Sequence, residues 1–559
     1  MLTIESHDTC AEAAEAVRIL GERLTELNLP DGVLQVRCAV GQGEGFALSV
    51  RDSEVVLTAD RPREFIAGAG RLLDLVREAG GLPEGEWQES PRLPVRVHYM
   101  PGHFGNPYEV MWPLEMGRYL EDLALWGASG YSDWFDPNDM PDPYNPHVYC
   151  SASMTLWQRK KEFLRRAKAL GLDTGIGVAH NVGFLDQMRP EWVGVRSHRH
   201  RVQGQVLCPS IPEARAVCLQ NHENLFADLT ASGVQVDKLI YNPYDDGGCA
   251  CEKCQPYYPT FLAMVAEIHE IARRYFPGIR ADLCGWWTSE EEMGQVHVFT
   301  AGPAKDWLGD FQVSVAYEAF GSPDAASQLN GLPASIFFHI GYSHNKSDVY
   351  LTTGVHSAPR RIQAVIGSLP GHGYRGFNTY NESFGDHYNQ CLCTRLARDP
   401  GTDVEALTRD YCRQMYGLRG AELAEMTAIL REMEMLEAEK AAGWAAALQR
   451  LRPRVTVPPR QPWAFEHVLL KAQLLALDHR IGTGEKWQSR EDLVPVLPLI
   501  TERLDLSERL WRTVYGLGIL RHIFIPAFML PPWHQRYAAF YPQGEGHITL
   551  NHERVSWRA

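Results

Sequence analysis

Two adjacent carboxylates stand out in the segment Tyr241–Cys249, which reads Tyr-Asn-Pro-Tyr-Asp-Asp-Gly-Gly-Cys. Asp245 and Asp246 follow a short apolar run and are therefore predicted to come soon after a strand. Adjacent carboxyl groups can divide their roles, because one stays ionised while its neighbour holds a proton longer. Hydrolysis of a glycosidic bond needs such a proton donor, together with a second group that attacks, activates water or holds an internal nucleophile. A simple turn is the alternative interpretation, since turns select Asp and Gly.

Two separated glutamates compete with this pair. Glu318 and Glu382 follow different apolar runs, and each is preceded by an aromatic or amide residue. Either glutamate could serve as an acid, a base or a clamp for a sugar hydroxyl. The alternative for each is a carboxylate at the rim of the protein that forms a salt bridge.

Aromatic and polar side chains near the predicted strand ends are candidates for binding a sugar. An indole could form the floor of a sugar subsite or the wall of an acetamido pocket, although core packing is the alternative for one of Trp286 and Trp287. Tyr317 could donate its hydroxyl to a substrate carbonyl, and Arg96 and His180 could bind ring hydroxyls unless they are structural. The predicted substrate-binding residues are Arg96, His180, Trp286, Trp287, Tyr317, Glu318, Tyr380, Asn381 and Glu382.

Cys249, Cys251 and Cys254 place three thiols within six residues. That spacing suits one metal ion and suits disulfides between neighbours poorly. Cys208, in the loop after the third predicted barrel strand, is the candidate fourth ligand. Four thiolates would close the coordination shell of zinc, so the site would be structural and would hold the loop that carries the acid pair. Buried or redox-linked thiols are the alternative. No cofactor is expected for catalysis.

The chain from Val95 to about Gln390 repeats a short apolar run, a polar or aromatic loop and an amphipathic helical stretch. This repetition is typical of βα units around a parallel sheet, and eight runs fit one (β/α)8 barrel. In such a barrel the active site lies at the carboxyl ends of the strands, where the candidates above occur. The predicted strands are Val95–Met100, Gly130–Phe135, Asp173–Val178, Lys238–Asn242, Arg280–Gly285, Gln312–Ala316, Ala334–Ile340 and Tyr374–Thr379.

Different patterns flank the predicted barrel. Residues 1–88 alternate strand and helix signals and predict a small α/β domain that ends near the turn-rich segment Gly80–Glu86. Residues 89–400 form the barrel in this prediction. Residues 401–559 read as an α-helical domain that either caps the active site or forms a homodimer interface.

Composition excludes several classes of partner. The chain has 559 residues, 45% of them hydrophobic, and a formal net charge of -15. That charge argues against general binding of nucleic acid or of an anionic membrane surface, because both need a basic face. No apolar stretch is long enough to span a bilayer, and residues 1 to 30 do not resemble a signal peptide. The sequence is therefore expected to be cytoplasmic or already processed.

Several glycosidase families resemble this arrangement. A small α/β domain, the linker Ser90–Arg96 and then a barrel look like the layout of family 20 β-N-acetylhexosaminidases and family 67 α-glucuronidases. The segments Leu207–Glu213 and Asp245–Cys254 are similar to family 163-like glycosidases. The Cys-x-Cys-x-x-Cys motif with an earlier Cys also resembles the zinc cluster of family 42 β-galactosidases. The likeness covers about the first 400 residues, but the specific motifs are short.

The resemblance implies a division of roles within the acid pair. In families 20, 84 and 123 an acidic pair follows the fourth strand, and the 2-acetamido oxygen of the substrate attacks the anomeric carbon. By this resemblance Asp245 would orient the acetamido N–H and stabilise an oxazolinium ion, and Asp246 would be the general acid and then the base. Tyr317 and a Trp would complete the acetamido pocket. Asp rather than Glu as the second acid departs from family 20 and matches family 84 better, which leaves the family and the hexosamine open.

The sequence therefore predicts an exo-acting, retaining β-N-acetylhexosaminidase, with N-acetylgalactosamine as one candidate sugar and a terminal N-acetylhexosamine glycan or glycoside as substrate. Two alternatives stay open. One is an α-glucuronidase-like or other glycosidase that uses Glu318 and Glu382. The other is a barrel that binds carbohydrate without catalysis.

Overall fold

The computed structural model describes residues 2–7, 10–27, 32–41, 44–102, 108, 111–135, 137, 141–145, 152–197, 206–244, 247–316, 319–329, 331–340, 354–381, 383–515, 545–550 and 553–558. Within these ranges no helix is both long and apolar enough to cross a membrane.

A five-stranded sheet with two helices forms the N-terminal part of the chain. Its strands are β1 (Leu2–His7), β2 (Gly32–Val40), β3 (Phe46–Arg51), β4 (Glu54–Ala59) and β5 (Gly85–Glu89), and its helices are α1 (Ala14–Glu26) and α2 (Pro62–Ala79). The strand order is β1-β2-β4-β3-β5, with β3 antiparallel to both of its neighbours. The sequence predicts strands around Val33–Val40, Gly45–Val50 and Ser53–Thr58, and β2, β3 and β4 lie at these positions. It predicts helices over Cys10–Leu27 and Pro62–Ala79, where α1 and α2 occur. The outer strands β1 and β5 were missed, and β5 has the polar sequence Gly-Glu-Trp-Gln-Glu in a segment that was predicted to be a turn.

Eight parallel strands close into a barrel. They are β6 (Val95–Tyr99), β7 (Gly130–Phe135), β8 (Asp173–Val178), β9 (Lys238–Tyr241), β10 (Arg280–Cys284), β11 (Leu308–Val315), β12 (Ala334–His339) and β13 (Gly376–Tyr380). The first strand pairs with the last and thereby closes the sheet. All eight strands occur where the sequence predicts them, so the (β/α)8 barrel is confirmed.

Helices cover the outside of the barrel. They are α3 (Pro113–Trp126), α4 (Ala152–Ala169), α5 (Pro212–Ala231), α6 (Tyr257–Tyr275), α7 (Glu290–Thr300), α8 (Pro359–Ser368) and α9 (His387–Arg398). Proline begins three of them, where its missing N–H costs no helical hydrogen bond. Each of these helices lies between two strands or after the last one, which brings all the strand-to-helix loops to one end of the barrel.

The C-terminal part is mainly helical. It contains α10 (Val404–Tyr416), α11 (Gly420–Glu432), α12 (Ala441–Leu451), α13 (Ala464–Ile481) and α14 (Leu497–Tyr515). An antiparallel pair, β14 (Glu545–Leu550) and β15 (Glu553–Arg558), follows in a region that was predicted to be helical. The helices contact the barrel loops directly, because Lys471 Nζ donates to the Val355 carbonyl at 2.6 Å.

The interior of the barrel has two chemically different ends. Toward the amino ends of the strands lies a buried polar network, in which Lys238 Nζ is 3.2 Å from Asp282 Oδ2 and Gln312 Nε2 donates to the same oxygen at 3.2 Å. Toward the carboxyl ends the interior is largely aromatic and contains Tyr99, Trp134 and other apolar side chains. Among the residues that the structure describes, aromatic rings are therefore prominent at the mouth of the barrel.

Arg96 belongs to the contact between the sheet domain and the barrel. Its side chain is buried, donates through Nη2 to Glu64 Oε1 at 3.0 Å and through Nε to the Gly127 carbonyl at 2.7 Å. Arg398 Nη1 donates to the other oxygen of Glu64 at 2.8 Å. This placement contradicts the predicted contact between Arg96 and a sugar. Successive side chains of a strand point to opposite faces of the sheet. Tyr99 points into the barrel, so Arg96, three residues earlier, points outward.

Candidate active site at the mouth of the barrel

A floor of aromatic rings lies at the carboxyl ends of the strands. The Trp286 ring is 4.5 Å from the His339 ring, and the His339 ring is 5.1 Å from the Tyr380 ring, measured between centroids. Tyr99 and Phe337 lie next to Tyr380 at 6.0 and 5.8 Å. Trp286 and Tyr380 are half-buried, whereas Tyr99, Phe337 and His339 are buried. We call Trp286, His339 and Tyr380 the aromatic floor.

His339 is part of this floor although the sequence did not single it out as a binding residue. Burial, with a smaller contribution from Arg361, lowers the pKa of His339 to about 3. The imidazole is therefore neutral around pH 7, and its flat face can take part in ring packing. The signal that could have identified it is its position as the last residue of β12.

Trp287 extends the floor outward. Its ring stacks on Trp286 at 5.7 Å with an interplanar angle of 23°, and 43% of the residue is exposed. We expected two neighbouring residues of a strand to point in opposite directions. They do not, because β10 ends at Cys284 and Trp287 has a φ of 60°, in the left-handed region. Bulky residues adopt that region rarely, and strained backbone is concentrated at functional sites.

The predicted catalytic pair, Asp245 and Asp246, lies outside the described residues, but both flanks of the pair are described. On one side Tyr244 is buried, and its hydroxyl donates to Glu292 at the start of α7. On the other side the Asn181 side chain forms two hydrogen bonds with the backbone of Gly248. Asn181 Nδ2 donates to the Gly248 carbonyl at 3.1 Å, and Gly248 N donates back to Asn181 Oδ1 at 3.0 Å.

Gly247 fits between two buried side chains from the end of β8. A Cβ at this position would lie 2.5 Å from Asn181 Oδ1 and 2.6 Å from His180 Cε1, closer than real Cβ contacts come. The Gly-Gly after the acid pair therefore allows a close approach of two loops and does more than form a turn. The sequence contains the two glycines but does not reveal which side chains lie next to them in the fold.

His180 supports this approach from below. It is fully buried, hydrogen-bonds the Tyr257 hydroxyl through Nε2 and packs edge-on against Phe261 at 4.8 Å. Its position is thus next to the acid-pair loop and beneath the surface. The predicted contact between His180 and a ring hydroxyl stays a prediction.

Tyr317 and Glu318 also lie outside the described residues. The Arg361 side chain hydrogen-bonds the backbone on both sides of them. Arg361, at the start of α8, donates through Nη2 to the Ala316 carbonyl at 2.6 Å and through Nε to the Ala319 carbonyl at 3.0 Å. Its third donor, Nη1, reaches the carbonyl of His339 in the aromatic floor at 2.7 Å. Arg361 is a positioning residue that the sequence analysis missed, because its three partners are backbone atoms of distant segments.

Glu382 lies outside the described residues as well, between two fixed neighbours. Asn381 is fully buried, and its Nδ2 donates to the carbonyl of Tyr99 at 2.8 Å, which ties the end of β13 to the end of β6. On the other side Ser383 N donates to Asp386 Oδ2 at 3.2 Å. Asn381 therefore holds backbone with its amide nitrogen, whereas the sequence predicted a contact with substrate.

The four cysteines of the predicted metal site come together. The sulfurs of Cys208, Cys249, Cys251 and Cys254 all lie within 4.8 Å of one another, and none of them forms a disulfide. Cys249 and Cys254 are fully buried, Cys208 is buried and Cys251 is half-buried. Cys249 follows Gly248 directly, so the cluster adjoins the anchor of the acid-pair loop.

Neither a protein-family model nor a curated protein matches the chain. Solved structures do match it. A family 138 glycoside hydrolase that targets pectin rhamnogalacturonan II aligns over 97% of this chain and 78% of its own length, at 10% identity and a TM-score of 0.59. The fold is one that glycoside hydrolases share.

Two other glycosidases show the same likeness. A family 89 enzyme from Clostridium perfringens, in complex with PUGNAc, covers 90% of this chain and 65% of its own length at 10% identity, with a TM-score of 0.61. A second structure of that enzyme, with two glutamates replaced by glutamine, holds its substrate GlcNAc-alpha-1,4-galactose. An N-acetyl-β-hexosaminidase from Streptomyces plicatus covers 76% of this chain and 91% of its own length at 14% identity, with a TM-score of 0.50. At these identities the likeness establishes the barrel and leaves the chemistry to the site.

Proposed function

We propose that this protein is a glycoside hydrolase that removes a terminal N-acetylhexosamine from a glycan or glycoside, with retention of configuration. The observation that carries the proposal is that Tyr244 and Gly248, on the two sides of the acid pair, are both held by hydrogen bonds. A carboxylate pair on a loop fixed at both flanks can be held to the tolerance that proton transfer requires. The aromatic floor, at the same end of the barrel, offers flat rings against which the C–H face of a sugar can pack.

In the proposed reaction Asp246 donates its proton to the glycosidic oxygen as the bond to the leaving group breaks. The carbonyl oxygen of the substrate's own 2-acetamido group attacks the anomeric carbon and forms an oxazolinium ion. Asp245 accepts a hydrogen bond from the acetamido N–H and stabilises the positive charge that develops there. Asp246, now ionised, takes a proton from the water that opens the ring, which regenerates both the enzyme and the starting anomer.

Other residues would bind and orient the sugar. Trp286 and Tyr380 are the half-buried members of the aromatic floor and would support the ring of the sugar. Trp287 is more exposed and would contact the group on the far side of the scissile bond. Tyr317 would hydrogen-bond the acetamido carbonyl. No metal ion or organic cofactor enters these steps.

Glycosidase neighbours support the sugar assignment at the level of chemical class. One of them is an N-acetyl-β-hexosaminidase, and another holds a substrate that begins with GlcNAc. N-acetylglucosamine and N-acetylgalactosamine differ at one hydroxyl, so the choice between them depends on a single polar contact.

A panel of nitrophenyl glycosides tests the proposal. We expect release of nitrophenol from N-acetyl-β-hexosaminides and much slower release from the glucoside and galactoside, which lack the 2-acetamido nucleophile. NMR of the first product should show the β-anomer before mutarotation. Failure to cleave either N-acetylhexosaminide would contradict the proposal.

A second glycosidase mechanism is favoured by one specific observation. Arg361 hydrogen-bonds the carbonyls of Ala316 and Ala319, on the two sides of the segment that contains Glu318. Asn381, next to Glu382, hydrogen-bonds the carbonyl of Tyr99. An α-glucuronidase-like or other glycosidase that uses these separated carboxylates could invert configuration. The anomer of the first product separates the two mechanisms. A non-catalytic carbohydrate-binding barrel would instead show calorimetric sugar binding without turnover of any glycoside.

A further inference from the structure

Four cysteine sulfurs converge beside Gly248, which follows the acid pair in the chain. Cys208 Sγ lies 3.7 Å from Cys251 Sγ, 3.7 Å from Cys249 Sγ and 3.8 Å from Cys254 Sγ. A zinc ion with four thiolates at Zn–S distances of about 2.3 Å separates the sulfurs along each tetrahedral edge by about 3.8 Å. Three of the six separations therefore already have the length of a tetrahedral zinc site, and the others are no longer than 4.8 Å.

Other arrangements of four cysteines fit these distances less well. A disulfide would bring two sulfurs to about 2.05 Å, and all four cysteines are free. A four-iron cluster binds each cysteine to a different iron and would hold the sulfurs farther apart. A single tetrahedral ion is the arrangement that requires the least movement.

Polar groups around the sulfurs suit bound thiolates. Val195 N donates to Cys249 Sγ at 3.4 Å, and Ser210 Oγ lies 3.0 Å from Cys208 Sγ and 3.7 Å from Cys251 Sγ. Such hydrogen bonds orient ligands and offset the negative charge of a four-thiolate centre. A set of four sulfurs leaves no open position for water, so an ion here would be structural.

We propose that Cys208, Cys249, Cys251 and Cys254 bind one Zn²⁺ that joins the loop after β8 to the loop after β9. Cys208 belongs to the first loop, and the other three ligands belong to the second. The metal would thus fix the acid-pair loop just beyond the point where Asn181 holds Gly248. This consequence for activity rests on the proposed function, but the metal site itself does not.

Metal analysis of the full-length protein tests the site. We expect about one zinc ion per chain by mass spectrometry after dialysis against metal-free buffer. Cys251→Ser removes the half-buried ligand and should lose the zinc, whereas the matched control Cys10→Ser alters a half-buried cysteine of the N-terminal sheet domain and should keep it. Ser210→Ala should weaken zinc retention against a chelator by about 10-fold. Zinc content that is equal in Cys251→Ser and Cys10→Ser would overturn the proposal.

The unaltered protein provides a second measurement in case Cys251→Ser does not fold. A mercurial reagent should release zinc to a chromogenic chelator as it modifies the four thiols, and Co²⁺ exchanged into the site should give thiolate charge-transfer and tetrahedral absorption bands. A protein without metal, or one that holds iron, would overturn the assignment to zinc. A zinc protein that cleaves no N-acetylhexosaminide would disprove the proposed function and leave the metal site intact.

Discussion

Gly247 packs closely against the residues that follow β8. Its missing side chain lets the loop approach Asn181 and His180, which are buried at the end of β8. Neither neighbour can move freely, because Asn181 also donates to the Leu207 carbonyl at 2.7 Å and His180 is packed against Phe261. We therefore expect the alignment of the acid pair, in its proposed catalytic role, to depend on the absence of a methyl group at Gly247.

Gly247→Ala should therefore reduce activity strongly. The added Cβ pushes the loop away from Asn181, and a misplacement of about 1 Å can lower the rate on the order of 100-fold. The matched control is Gly294→Ala in α7, where no atom lies within 4 Å of the added Cβ and alanine favours the helix. Steady-state kinetics should show a fall in kcat for the first variant only. Equal rates in the two variants would mean that the loop does not depend on this contact.

The two neighbouring tryptophans, Trp286 and Trp287, can be tested separately. Trp286→Ala removes the ring that contacts both His339 and Trp287, and Trp287→Ala removes the exposed ring. We expect Trp286→Ala to lower kcat/KM about 10-fold or more for every substrate, since a stacking contact contributes about 0.5–1.5 kcal/mol beyond its buried area. Trp287→Ala should affect substrates with a large leaving group more than a simple aryl glycoside. Identical effects on both substrate types would show that Trp287 does not contact the leaving group.

At the scale of elements, buried side chains from one element hold the loops of another. Asn181 at the end of β8 holds the loop after β9, and Arg361 of α8 holds the loop after β11. Glu434 in the C-terminal part in turn accepts a hydrogen bond from Arg361 N at 3.0 Å. Glu434 thereby connects the C-terminal part of the chain to the start of α8.

Arg361→Lys tests this coupling. Lysine keeps the positive charge but cannot reach three carbonyls with a planar fork, so two of the carbonyls would lose their donor. Leaving buried carbonyls without a partner costs about 1–3 kcal/mol each, and activity should fall with stability. The matched control is Arg360→Lys, at a neighbouring position that is largely exposed and pairs with the same Glu434. Equal melting temperatures and equal kcat values in the two variants would show that the three hydrogen bonds of Arg361 do not hold these loops.

The barrel could be predicted from the sequence, whereas much of the site could not. Strands such as β8 and β12 are buried on both faces and therefore appear as short apolar runs that need no knowledge of their partners. Strand β5 was missed because its sequence is polar. Arg361 and Asn181 were missed for another reason, because their role depends on backbone atoms far away in the chain. Arg96 was misassigned because alternation along β6 directs it outward.

In the molecule as a whole, the buried polar end of the barrel interior contains a carboxyl group with a shifted pKa. Burial, with a further contribution from the charge of Asp282, raises the pKa of Asp310 to about 8. Ser335 donates a hydrogen bond to Asp310, which lies in the same polar end of the barrel as Lys238. The folded protein therefore keeps a proton on Asp310 that the unfolded chain releases near pH 4.

The raised pKa of Asp310 makes the stability of the fold depend on pH in a definite direction. A raised folded-state pKa stabilises the fold below the unfolded pKa of about 4, and that contribution is lost as the pH rises through about 8. Asp310→Asn should remove the dependence, so its melting temperature relative to the unaltered protein should increase steadily between pH 5 and pH 8. Asp306→Asn, at an exposed position nearby, is the control and should give a constant difference. A constant difference for both variants would contradict the raised pKa.

In the proposed mechanism the acid pair, rather than the separated glutamates, performs the chemistry. Comparing kcat/KM of Asp246→Asn, Glu318→Gln and Glu382→Gln on one nitrophenyl N-acetyl-β-hexosaminide tests this mechanism. We expect Asp246→Asn to lose about 10²- to 10⁴-fold, the usual contribution of a general acid and base, and each glutamine variant to lose much less. Nearly full activity in Asp246→Asn, with activity abolished in Glu318→Gln or Glu382→Gln, would contradict it.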